Sequence, residues 1–496
     1  MKKIIVVGGG IGGLASACLL AKDGFSVTLI EKNKIVGGRA RRLKLKDFYF
    51  DMGPSWYMMP EVFENFFKKF GKKVSDFYTL KKLSINYRVF FSDGKLIDIY
   101  SDLKKNFKTF KKEEDNGDIK LKKYLKEAEF IYKLSTKKLV FNDYKNPFSL
   151  IEKETILSIL KFDLLRSFHD LIKNKFKNQY LQKILEFTTV FLGGSPYNTP
   201  AFYKLISYAD FILGTYYPIG GIYELVKALE KIAKSHGVLI KTNEEVKKVE
   251  IINNKITKLK TNKSDYLTDI VVVNADYHLF ETKILPKKHQ TYGENYWKKR
   301  TMSPGVFLIY FGIKDNLSNF YHHNLYFDLS WEKHFNEVFR EKKLPENPNF
   351  YFHIPSKTDK NMAPTGCHSV MILSPIAPGL NLNNNQKQNF KEKLLNKFAE
   401  IGKIKDIKKK IVVEKIFTID DFEKDYNAFQ GAAFGLAHTL FQTAIFRPKN
   451  FSQKLKNLYY VGQYTNPGVG IPPALISAQI VENLILKNEK NIRRNN

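Results

Sequence analysis

The residues best placed to do chemistry are glycines. Gly8-Gly9-Gly10-Ile11-Gly12-Gly13 stands between an apolar run, Ile4-Ile5-Val6-Val7, and a stretch of small and apolar residues over 14–22. Gly8, Gly10 and Gly13 fit G-x-G-x-x-G. The first glycine permits a tight turn, the second lets backbone approach a pyrophosphate, and the third lets a helix pack closely on a strand. The free N–H groups at the helix start then face the anion. Gly24 ends the helix, and Ser26-Val27-Thr28-Leu29-Ile30 forms a second strand delivering Glu31, 18 residues after Gly13. A carboxylate there accepts hydrogen bonds from ribose hydroxyls. Strand, glycines, helix, strand and acid in register read as a dinucleotide site, with Gly12 and Lys32 as adjoining candidate contacts.

The elements that must position this site lie far apart in the chain. A helix is expected at 61–70, a Lys-rich solvated helix or loop at 104–126, and a helical insertion from about 130 to 190. In that insertion Ile156, Leu157, Ile159, Leu160, Leu164 and Leu165 recur at helical spacing. A helix over 222–235 precedes strands at 237–242 and 246–252, read as part of the nucleotide domain. Asp269 to Asp276 reads as a buried strand whose polar end, Asn274-Ala275-Asp276, lies where an open α/β sheet places ligand contacts. The region 300–415 reads as the sheet of a second domain, with Val306 to Gly312 as one strand. Near the C-terminus, Leu458-Tyr459-Tyr460-Val461 leads into Gly462-Gln463-Tyr464-Thr465-Asn466-Pro467-Gly468-Val469-Gly470-Ile471-Pro472-Pro473 and an apolar helix from Ala474 to about Leu486. A strand, a glycine loop and a helix again offer a helix N-terminus to a polar group.

Other chemistries lack residues. Cys18 and Cys367 lie in no metal spacing and form no disulfide framework, so a reducing compartment is expected. His322 and His323 are adjacent, so their side chains are expected to diverge, and no metal site is anticipated. Arg166 and His169 sit close together in an expected helix, with surface or structural roles. No catalytic base is assigned.

Gly37-Gly38-Arg39, soon after the ribose acid, resembles the second fingerprint of the superfamily of FAD-dependent amine oxidases and carotenoid desaturases, where it approaches the cofactor's phosphates and flavin. Further blocks extend the likeness over nearly the whole chain. They are Asp51-Met52-Gly53-Pro54-Ser55-Trp56-Tyr57-Met58-Met59-Pro60, Leu192-Gly193-Gly194-Ser195-Pro196, Asn274-Ala275-Asp276, Asp421-Phe422 with Phe446-Arg447-Pro448, and Gly462 to Pro473. Together they resemble the bacterial-type phytoene desaturase family, flavoproteins of carotenoid synthesis. The resemblance implies FAD contacts at Gly8, Gly10, Gly13, Glu31, Gly38, Arg39, Val246, Ala275, Asp276, Gly462, Val469, Gly470, Ile471 and Pro472. Many relatives have Gly-Ala-Gly where this chain has Gly462-Gln463-Tyr464, and Gly where Pro473 stands.

The resemblance further implies desaturation of a carotenoid precursor, a phytoene-type substrate taken to lycopene, by hydride removal to flavin with quinone or oxygen as final acceptor. Alternatives are a carotenoid cis–trans isomerase, a desaturase of another carotenoid, an amine oxidase of the same fold, and a lysine-rich binding protein with a vestigial nucleotide fold. The expected fold is α/β. A Rossmann-like FAD-binding domain combines 1–85, 215–300 and 410–496, a helical, membrane-facing substrate insertion covers 86–214, and a substrate-domain sheet covers 301–409.

Composition limits these readings. The 496 residues, 43% apolar and 26% charged, suit an enzyme-sized globular protein and exclude wholesale disorder. The net charge of +31 invites an anionic partner, but only ten of the 81 basic residues are arginine, the residue suited to bidentate phosphate and base recognition. Nucleic acid is therefore not expected. No apolar run reaches the ~20 residues that span a bilayer. The expected location is cytoplasmic, peripheral to the cytoplasmic face of a membrane.

Overall fold

The computed structural model describes residues 1–142, 144 and 166–495. The helical spacing read at Ile156, Leu157, Ile159, Leu160, Leu164 and Leu165 lies outside them.

A five-stranded parallel sheet carries the N-terminal motif. Its order is Leu458–Tyr460, Ile270–Val273, Lys3–Val7, Ser26–Ile30, Leu239–Lys241. The first and last parts of the chain are thus neighbours across Ile270–Val273. Parallel strands need crossovers that cover the sheet. Here Ile11–Lys22 packs between Tyr223–Ser235 and the long helix Ile471–Asn495. Small residues permit this contact: Ala15, Ala17 and Cys18 are fully buried. Val246–Ile252 forms a strand outside this sheet, pairing antiparallel with Lys255–Thr261, which in turn pairs with Asp265–Leu267.

The second sheet has seven strands, ordered Ile411–Phe417, Gly305–Ile313, His368–Ile376, Phe350–His353, His323–Phe327, Ile85–Phe91, Leu96–Tyr100. Only the pairing of His323–Phe327 with Ile85–Phe91 is parallel. Side chains alternate across it. Phe307, Ile309 and Phe311 face the helix Asn384–Gly402, which buries Phe390, Leu394 and Phe398 there. Val306, Leu308 and Tyr310 face the opposite core. Both faces are covered, which is why Val306 to Gly312 is apolar at nearly every position.

Two sequence boundaries need correction. The segment 86–214 is not wholly helical, because Ile85–Phe91 and Leu96–Tyr100 extend the mixed sheet. Ile411–Phe417, grouped with the nucleotide part, is that sheet's other edge. Their attachment to this sheet is made by distant partners, Ile85–Phe91 through His323–Phe327 and Ile411–Phe417 through Gly305–Ile313, beyond any local pattern. The Lys-rich stretch forms two helices, Leu103–Glu113 and Gly117–Leu134, that are less solvated than read: Phe110, Leu121 and Tyr124 are fully buried.

Candidate active site

Every expected cofactor residue except Gly13 lines one cavity of about 570 Å³. Gly13 explains its own exclusion. A Cβ there would fall 2.0 Å from the Gly8 carbonyl oxygen, so this glycine serves helix-on-strand contact beneath the site. Gly8 has φ +99 and touches the Ala275 backbone. A Cβ on Gly10 or Gly12 would come within 2.7 Å of the Asn274 amide, as one on Gly462 would within 2.9 Å. Asn274, read in the sequence as part of a strand end placed to meet ligand, is the post against which the Gly10–Gly12 turn and the Gly462 turn are both fitted.

The helix Ile11–Lys22 starts with no side-chain cap, leaving its first N–H groups directed at the cavity. Glu31 is buried: Oε2 accepts from Gly9 N (2.8 Å) and Oε1 from Asn33 N and Nδ2 (2.8 Å each). These bonds orient its carboxylate, whose remaining lone pairs suit ribose hydroxyls. Lys32 lines the cavity, but its ammonium is held by the Lys424 carbonyl (2.6 Å) and Asn427 Oδ1 (2.9 Å). Asp276 also lines it while working structurally, capping Leu279 N (3.1 Å) and accepting from Tyr464 OH (2.6 Å). Burial raises its carboxyl above the ordinary value.

The C-terminal loop arrives beside these groups, with Gly462, Val469, Gly470, Ile471 and Pro472 on the lining. The helix there starts at Ile471, three positions earlier than the expected start at Ala474. Pro472 and Pro473 therefore occupy its first turn and remove two N–H groups, so this terminus gives an anion less than the sequence suggested.

A fit test for a dinucleotide comes from unused donors. Arg39 Nε, Gln463 Nε2 and Asn466 Nδ2 are buried without a protein partner, and all three residues line the cavity. Buried donors left unpaired cost about 1–3 kcal/mol each. Phosphate and ring-carbonyl oxygens would satisfy them. The Arg39 guanidinium also lies 5.1 Å over the Tyr426 ring. The residues fit FAD.

Beyond this cradle the same cavity becomes apolar, lined by Met52, Pro54, Trp56, Met58 and Met59, by Phe187 and Phe191, and by Leu308 and Leu373 of the mixed sheet. Trp56 anchors the wall, packing edge-on to Phe191 (5.2 Å) and flat on His323 (4.1 Å, 7°). Most of its polar groups are engaged, although the Ser135 hydroxyl is buried without a partner. Ser55 Oγ and the Tyr351 hydroxyl share a hydrogen bond (2.8 Å), and His438 Nδ1 donates to the Leu192 carbonyl (2.9 Å). Burial, reinforced by Arg447, holds His438 well below the ordinary histidine value, so it is neutral.

Arg447 is the residue whose role the sequence least disclosed. Fully buried, it donates to the carbonyls of Gln463 (2.7 Å), Gln442 (2.9 Å), Leu436 (3.2 Å) and Thr465 (3.2 Å). It ties the loop over the apolar end to the loop over the cofactor end. Arg166 and His169 fall outside the cavity. Arg166 donates to the Asp170 carbonyl, and His169 bonds Glu186 (2.8 Å), whose other oxygen accepts from Trp331 Nε1 (2.8 Å).

The adjacent histidines depart from expectation. His322 lies on a bend just before the strand, so its ring swings toward that of His323 (4.5 Å) and does not diverge.

Residues 11–482 match the model of the flavin containing amine oxidoreductase family. The chain belongs to this family. It is an FAD-dependent oxidoreductase, and its relatives place it among the carotenoid desaturases. It is 39% identical to a carotenoid 3,4-desaturase of Haloarcula japonica, over 96% of each chain. It is 31% identical to a zeta-carotene-forming phytoene desaturase of Myxococcus xanthus, over 97% of this chain and 93% of that one. Among solved structures, an oxidoreductase from Methanosarcina mazei shares the fold with a TM-score of 0.65 at 18% identity, covering 97% of this chain and all of that one.

Proposed function

We propose that this chain desaturates a carotenoid precursor, taking a phytoene-type polyene to lycopene. The observation that carries the reading is the continuity of one cavity from the Gly8–Glu31 cradle to an apolar chamber walled by Trp56, Phe187, Phe191 and Leu308. The enzyme acts on CH–CH bonds. When bound, FAD supplies the two-electron acceptor that the side chains lack. Gly8, Gly10, Gly12, Glu31, Gly38, Arg39, Val246 and the Gly462–Pro472 loop hold it, while the aromatic and methionine walls align the polyene and exclude water. The substrate end of the described lining, from Met52 to Met59 and from Tyr132 to Ala209, has no carboxylate to receive an ammonium, which disfavours an amine oxidase.

Electrons leave to a quinone or oxygen, and the substrate comes from a membrane. Support for the membrane is local. Phe441 and Phe446 are 68% and 49% exposed with rings 5.7 Å apart, and they flank Thr443 and Ala444 of the cavity lining. Among the described residues no helix is long and apolar enough to cross a bilayer. The proposed position is peripheral, on the cytoplasmic face of that membrane.

Expression in cells that accumulate phytoene tests the reading: red product identified as lycopene is expected, and unchanged phytoene beside flavin-loaded protein refutes it. A second reading, desaturation of the 3,4 bond of a preformed carotenoid, is favoured by the higher identity to the 3,4-desaturase. Turnover of lycopene-type substrates without turnover of phytoene would select it.

A further inference from the structure

His323 begins one strand, His353 ends the next, and the two are register partners, so their rings share one face of the mixed sheet. His322 joins them from the bend. All three are buried, and one ring nitrogen from each lies within 4.8 Å of the others. His322 Nε2 and His353 Nε2 are 3.0 Å apart. His323 Nε2 and His353 Nδ1 have no hydrogen-bond partner. The sheet thus concentrates imidazole nitrogens where water is excluded and leaves two unsatisfied, an arrangement that needs a cause.

The outward nitrogens supply one. His322 Nδ1 bonds Thr358 Oγ1 (2.7 Å) and His323 Nδ1 bonds the Tyr351 hydroxyl (2.6 Å). Fixing one ring nitrogen of a histidine to an oxygen so that the other points at a common centre is how protein metal sites orient their ligands. The Tyr217 hydroxyl is buried without a partner, and its ring lies 4.5 Å from that of His322 and 6.2 Å from that of His353.

We propose that His322, His323 and His353 bind one divalent transition-metal ion of the zinc class. Three imidazoles without a carboxylate suit zinc over calcium or magnesium, which take oxygen ligands. The Nε2 pair need open by only a few tenths of an ångström for tetrahedral bonds of about 2.0–2.1 Å. The ion does not touch the reacting atoms. It braces the wall of the apolar chamber from behind, because Trp56 stacks on His323 and Tyr351 bonds it.

The test uses untagged, flavin-loaded full-length protein expressed in zinc-supplemented medium. Elemental analysis is expected to find about one zinc per chain, and X-ray absorption at the zinc edge to find imidazole nitrogens. His353→Asn and the double variant His323→Asn/His353→Asn should lose the metal yet keep flavin, whereas His236→Asn, at an exposed position, should retain it. If the variants do not fold, chelation of wild-type protein followed by zinc addition decides: Tm should fall and then recover. Flavin-loaded protein with no stoichiometric transition metal and no Tm response to zinc overturns the proposal, as does zinc that survives loss of both His323 and His353.

Discussion

Gly13 and Asp210 show how single side chains set the limits of this molecule. A methyl group at Gly13 would meet the backbone oxygen of Gly8, which the parallel sheet holds in place, so the helix must move off the strand. Gly13→Ala is expected to cost about 3 kcal/mol, roughly a hundredfold in FAD affinity, read by flavin titration of apoprotein. Asp210 is fully buried, with one oxygen bonded by Tyr87 OH (2.9 Å) and the other without a partner. Burial raises its carboxyl from 3.8 to about 7. The folded protein therefore keeps this proton where the unfolded chain has released it, and stability falls as pH rises from about 4 through about 7. Asp210→Asn removes that slope. Its Tm should match wild type near pH 4 and exceed it near pH 8, by up to about 4 kcal/mol in stability. The glycine motif was legible because its spacing is local and each position answers a steric demand. Asn274 and Arg447 were visible as letters without roles, since their partners come from loops far away in sequence.

Elements follow the same rule. The Ile11–Lys22 helix and the strands on either side of it matched their sequence reading because apolar runs and glycine stops are short-range signals. The two edge strands of the mixed sheet escaped notice, and so did the early start of the C-terminal helix, where two prolines look like a stop and instead form a first turn. Nothing local distinguishes His322 from His323 either; the bend that gathers their rings is set by pairing with Phe350–His353. The loops over the cavity depend on a single clip. Without the guanidinium of Arg447, four carbonyls lose their donor in a buried space. Arg447→Met should destabilise the protein by about 3–5 kcal/mol. Because the clip joins the Gln463 loop to the Leu436–Gln442 loop, flavin should be released at a lower temperature than in wild type, before global unfolding. Parallel monitoring of flavin fluorescence and far-UV circular dichroism separates the two events.

At the scale of the whole molecule, the charge of +31 has its counterpart in the exposed Phe441 and Phe446 beside the cavity. Near an anionic surface each Lys contributes about 1 kcal/mol, which salt removes, whereas apolar insertion is salt-resistant. Binding to vesicles containing anionic lipid should therefore weaken, but not vanish, in high salt. Phe441→Ser/Phe446→Ser should remove the residual binding, about tenfold or more in partitioning, with flavin content unchanged. The strand order of the parallel sheet has a consequence of another kind. Lys3–Val7 pairs with Ser26–Ile30, close by in the chain, and with Ile270–Val273, whose other side needs Leu458–Tyr460 to complete it. The sheet is therefore completed by a strand that follows its partner, Ile270–Val273, by nearly 190 residues. Until Leu458–Tyr460 is made, Ile270–Val273 stands as an open, wholly apolar sheet edge, the kind of edge through which incomplete chains aggregate.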